Sequence, residues 1–114
     1  MAYEIAWTPK AINSYKKNIK YLADNWSEKV VEDFINKTDK QIALISDYPY
    51  VAIATPNSKK FRKLLIVKQI TCFYSVSEDK NRITIHLFWN IMPQTKEAKN
   101  IISFYNSPTH QFTN

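Results

Sequence analysis

Not one of the 114 residues is glycine. A chain without glycine lacks the one residue that enters left-handed backbone at no steric cost. Its tight turns and helix ends must therefore use Asn, Asp, Ser or ordinary residues instead. The same absence excludes two large classes of function. The P-loop and the dinucleotide fingerprint both need glycines to bring the backbone close to phosphate, so neither can be built here.

The apolar pattern organises the chain. Tyr3, Ile5 and Trp7 alternate as a short strand. Thr8 and Pro9 then read as an N-cap and a first helical residue, where the missing N–H of proline removes nothing. Ile12, Tyr15, Ile19, Leu22 and Trp26 follow at spacings of three and four, a stripe along one helix face. Ser27 offers a second N-cap with Glu28 in the first turn. Val31, Phe34, Ile35, Thr38, Ile42 and Ile45 then continue a helical stripe as far as Asp47-Tyr48-Pro49.

Residues 50–59 read as a loop. Three strands are expected after it: Phe61–Val67, Ile70–Val76 and Arg82–Trp89. The expected architecture is α+β, in the order β-α-α-β-β-β, with a helical hairpin packed on one face of a small, mainly antiparallel sheet. Alternation assigns Ile70, Cys72, Tyr74 and Val76, with Ile83, Ile85, Leu87 and Trp89, to the core side. It leaves Thr71, Phe73, Ser75, Arg82, Thr84, His86, Phe88 and Asn90 on the open face.

The length suits a single domain, expected over residues 1–106, with a polar tail at 107–114. The 16 Lys and Arg against 10 Asp and Glu give a net charge of +6, which favours an acidic partner. Cys72 is the only cysteine and lies in an apolar run, so a disulfide framework is excluded. Two distant histidines and that one cysteine supply no zinc spacing, and no cofactor is expected. The opening MAYEIAW lacks the basic lead and apolar stretch of a signal peptide, and no window approaches the ~20 apolar residues of a membrane span. The expectation is a soluble, cytoplasmic protein with no membrane partner.

The order β-α-α-β-β-β, the helix start WTPKAINSYKKNIKYL, the strand pair FRKLLIVKQITCFYSV and the strand ITIHLFWN together resemble the RelE/ParE superfamily of type II toxin–antitoxin toxins. The resemblance covers roughly residues 3–100. It implies a small basic toxin that inhibits growth, stabilises plasmids in some settings, and is neutralised by a cognate antitoxin in a hetero-oligomer. Its target would be DNA gyrase for a ParE-like member, the branch favoured here, or ribosome-associated mRNA for a RelE-like one. A third reading is a degenerate member that only binds protein.

Lys59, Lys60, Arg62, Lys63 and Lys68 lie within residues 48–77, a stretch without a single acid. As binding residues they would concentrate a polyanion near the sheet. As solvated edge charges they would discourage sheet-to-sheet aggregation. Phe73 and Phe88, placed on the open face, could stack with a base or receive an antitoxin side chain.

The resemblance implies catalytic cations in the nucleases at positions held here by Thr71 and Met92, neither of which can neutralise phosphate. The terminal tyrosine of some members has no counterpart, since Tyr105 lies well beyond the expected spacing. His86, Arg62, Lys63 and Arg82 remain as catalytic candidates for an endoribonuclease. His86 could act as a base near neutral pH, although a lone sheet histidine is more often a bystander. His110, in the tail, carries no information. The reading therefore leans away from an enzyme.

Overall fold

The computed structural model describes residues 2–56 and 58–91, with the backbone alone at 58 and 59. Met92, Tyr105, His110, the tail at 107–114 and nearly all of the 91–106 stretch lie outside the described residues. The elements are β1 (Glu4–Trp7), α1 (Pro9–Asn25), α2 (Glu28–Asp47), β2 (Ile53–Thr55), β3 (Ser58–Val67), β4 (Ile70–Ser77) and β5 (Arg82–Asn90). The strands form one sheet in the order β1-β5-β4-β3-β2. Among the described strands only β1 and β5 pair in parallel, and the helical hairpin provides the crossover between β1 and the rest.

The caps fall where the sequence places them. Thr8 Oγ1 accepts from the Ala11 amide at 3.0 Å with Pro9 opening α1, and Ser27 Oγ accepts from the Val30 amide at 3.2 Å. The lack of glycine is met by Asn81, which sits at φ 49° in the turn between β4 and β5. Asparagine tolerates this left-handed region better than most residues.

Both helices cover one face of the sheet, and the core between the layers holds Leu22, Phe34, Ile45, Ile70, Cys72, Tyr74, Ile83 and Ile85. The α2 stripe is as expected, with Phe34, Thr38 and Ile45 buried. The α1 stripe is turned. Its inward residues are Ala11, Asn18, Tyr21 and Leu22, flanked by Tyr15 and Ile19, while Ile12 and Trp26 are exposed at 40% and 56%. Stripes through 11-15-18-22 and 12-15-19-22 share two residues, so periodicity alone does not separate them. Contact with β5 selects the first.

That contact is polar. Beyond Trp7 the outer edge of β5 has no strand of the described residues beside it, and helix α1 with its cap bonds this edge. Thr8 donates its amide to the Ile85 carbonyl and its hydroxyl to that of His86, at 3.1 and 3.3 Å. Ser14 Oγ accepts the Phe88 amide at 3.0 Å, and Asn18 Nδ2 donates to the Phe88 carbonyl at 3.1 Å. Unpaired backbone groups here would carry a large desolvation penalty.

Two expectations for the strands need correction. The segment read as a loop at 50–59 contains β2, paired antiparallel with β3, and β3 starts at Ser58 rather than at Phe61. Along β5, the alternation changes phase at His86. Tyr74 pairs with Ile85 and Phe73 pairs with Leu87, which leaves His86 as the additional residue of a β-bulge. Past it, Phe88 turns into the core at 2% exposure, stacked on Trp7 at 5.3 Å between ring centroids and packed on Tyr15 and Phe34. Leu87 and Trp89, expected inside, leave the core, and Trp89 is 54% exposed. Phe88 is thus a core residue and no part of the open face.

Candidate binding face of the sheet

The face away from the helices carries two rows rich in apolar side chains. Leu65, Thr71 and Trp89 are partners in one row across β3, β4 and β5, and Ile53, Lys63, Phe73 and Leu87 form the next row across four strands. Leu65 is 59% and Ile53 is 72% exposed. Thr71, where the resemblance puts a nuclease cation, thus lies between two hydrophobic side chains.

Beside these rows a concavity of about 600 Å³ is lined by Phe61, Phe73, His86 and Leu87 from the sheet, Thr55 from β2, and Thr8 and Lys10 from the start of α1. The bulge places His86 here. Its Nε2 lies 2.7 Å from Ser75 Oγ, and the Phe61 ring meets the imidazole edge-on at 5.0 Å. Burial, followed by the nearby charge of Lys60, lowers the His86 pKa from its ordinary value. Both effects disfavour the imidazolium, and in the neutral form one ring nitrogen can accept a hydrogen bond.

The other candidates do not converge on it. Arg62 stands on the helix side of β3, in register with buried Tyr74. Its guanidinium donates to the Ala52 carbonyl at 2.6 Å and lies 4.8 Å from the Tyr50 ring centroid. It ties down the chain between α2 and β2, helped by Tyr74 Oη, which donates to the Pro49 carbonyl at 2.7 Å. Tyr50 donates to Glu78 at 2.6 Å, and that bond leads the effects raising its pKa to about 12.

Arg82 opens β5 four residues before His86, roughly 13 Å at the strand rise of about 3.3 Å per residue. There it bonds the Glu4 carboxylate at 2.5 Å. Lys63 is exposed on the open face beside Phe73. Lys60 lies 5.5 Å from the Phe61 ring centroid, and Lys68 is in the β3–β4 turn. The Lys59 side chain lies outside the described residues.

Of the sequence candidates, the structure gathers His86, Phe73 and Lys63 on one face, keeps Lys60 close enough for its charge to act on His86, and places Arg62, Arg82 and Phe88 away from the imidazole. Lys10, Phe61 and Leu87 join the pocket unforeseen. Lys10 reads in the sequence as part of a solvated helix face, and no local signal separates it. Among the described residues no group of three or more His, Cys, Asp or Glu side chains could hold a metal ion. No described helix is long and apolar enough to cross a membrane.

No protein-family model and no curated protein matches this sequence. Solved structures do. A protein of the chromosomal ParDE toxin–antitoxin system from P. aeruginosa is similar at a TM-score of 0.64, with 12% identity over 79% of this chain and 97% of that one. The isolated E. coli RelE toxin is similar at 0.58, with 11% identity over 90% and 98%. A chain of the YoeB–YefM complex from Staphylococcus aureus gives 0.51, with 19% identity over 78% and 97%. The chain has the RelE/ParE toxin fold. At these identities the likeness is one of fold and does not separate a ParE-like from a RelE-like branch.

Proposed function

We propose that this chain is the toxin of a type II toxin–antitoxin module, that it inhibits growth by binding its target, DNA gyrase, and that a cognate antitoxin neutralises it in a cytoplasmic hetero-oligomer. The fold supports the toxin class. The composition of the open face supports binding over cleavage, and this observation carries the reading. Cutting RNA requires donors within hydrogen-bond reach of one scissile phosphate. Arg62 and Arg82 are committed to Ala52 and Glu4 instead. What the face offers is exposed Ile53, Leu65 and Trp89 beside Lys63, the mixture of apolar area and charge suited to holding a protein.

Induced expression should arrest growth, and purified protein should inhibit gyrase supercoiling without ribosome-dependent mRNA cuts. Codon-linked cleavage on primer extension, abolished in His86→Ala, would replace this reading with an endoribonuclease. One observation favours that second reading: His86, its pKa lowered by burial and Lys60, lines a pocket together with Lys10. Absence of any growth effect would leave a degenerate member that only binds protein.

A further inference from the structure

The pocket around His86 combines an apolar wall with a polar, cationic one. Phe61, Phe73 and Leu87 form the first, and Lys10 and His86 belong to the second. The charged groups near the imidazole are Lys10 from α1 and Lys60 from β3, while β4 contributes Ser75 and Phe73 and β2 contributes Thr55. Among the residues lining the pocket none is acidic, and residues 48–77, which supply β2, β3 and β4 to it, contain no carboxylate.

Such a site has shape for a hydrophobic side chain and potential for an anion. It has in addition a group whose charge can change on binding. We propose that the pocket receives an aromatic or aliphatic side chain and an adjoining carboxylate from an acidic peptide segment of a protein partner, and that His86 takes up a proton as the carboxylate seats. It rests on the toxin–antitoxin reading only for the source of that peptide.

The coupling follows from the surroundings of the imidazole. In the free protein, burial and Lys60 both disfavour the charged form of His86. A carboxylate within a few ångströms favours the imidazolium and raises the pKa. A group whose pKa is higher in the complex than in the free protein binds protons with the ligand, so affinity increases as pH falls through the bound-state pKa. The gain is about tenfold for each pKa unit by which the ligand raises it.

The probe is the capped dipeptide acetyl-Phe-Glu-amide, followed by amide shifts of Phe61, Phe73 and Leu87 in the full chain at pH 5.5 and pH 8. Its own carboxyl, with a pKa of about 4.3, stays ionised at both. The expected result is severalfold tighter binding at pH 5.5, with weak, pH-independent binding of acetyl-Phe-Gln-amide. His86→Asn should abolish the pH dependence. Lys10→Gln, an exposed change that leaves the fold intact, should weaken the Glu peptide and spare the Gln peptide.

Equal binding of the two peptides, affinity independent of pH, or no shifts at these amides would overturn the proposal. Growth inhibition does not enter the measurement. A chain that proved non-toxic would overturn the toxin reading and leave this one standing.

Discussion

Asn18, in the middle of α1, donates through Nδ2 to the carbonyl of Phe88 at 3.1 Å, and its Oδ1 accepts from Asn90 Nδ2 at 2.9 Å. A helix side chain thereby occupies the place of a neighbouring strand along the last residues of β5. With Ser14 one turn earlier, it holds the register of the strand that carries the His86 bulge. Asn18→Ala should therefore cost about 1–3 kcal/mol, the loss for a buried acceptor left without its donor. Urea unfolding would measure it. Asn18→Leu should be no better, because added apolar volume does not satisfy the carbonyl.

Leu22 is fully buried between the helices and the sheet. Leu22→Ala should lower stability by about 2–5 kcal/mol, the range for a leucine removed from a packed core. Ile12→Ala, on the exposed side of the same helix, should cost less. Comparable losses in the two denaturation curves would contradict the orientation of α1.

Arg62 is predicted to be a structural residue. Arg62→Ala should destabilise by about 1–2 kcal/mol through its bonds to Ala52 and Tyr50 and speed proteolysis around residues 48–56, while growth inhibition per folded molecule is kept. Activity lost at full stability would return Arg62 to the functional site.

Charge reversal at Lys60 and Lys63, with Lys59, should weaken target or antitoxin binding and flatten its salt dependence. The fold should survive, since Lys60 and Lys63 are exposed. Binding unchanged at low salt would leave these lysines only their role in discouraging edge-to-edge association.

Two titrations carry a sign. The His86 pKa is lower in the folded protein than in the unfolded chain, where it is about 6.5. Below that value the unfolded chain binds the proton more readily, so stability should fall as pH drops from about 7 and level off beneath the folded pKa. His86→Asn should remove that part of the slope in unfolding midpoints measured from pH 5 to 8. Cys72, fully buried, has its thiol pushed up to about 12 by desolvation. Iodoacetamide should label it only through unfolding, at a rate that follows global stability.

Much of this protein is legible without its structure, because much of it is local. A Thr-Pro cap, a Ser cap, a helical stripe through Phe34, Thr38 and Ile45, and alternation in Ile70, Cys72 and Tyr74 depend on residues a few positions apart. A chain without glycine had to make its left-handed turn with a residue such as Asn81. What the sequence could not determine depends on partners distant along the chain. A bulge is visible only against the strand opposite, so nothing near His86 announces that Phe88 turns inward and Trp89 outward. The choice between two nearly identical stripes on α1 was made by unsatisfied carbonyls some 70 residues away. Arg62 reads as one more cation of a basic run until the carbonyls of Ala52 and Tyr50 are brought to it. Periodicity records which side chains avoid water, and only tertiary structure decides which polar groups must meet.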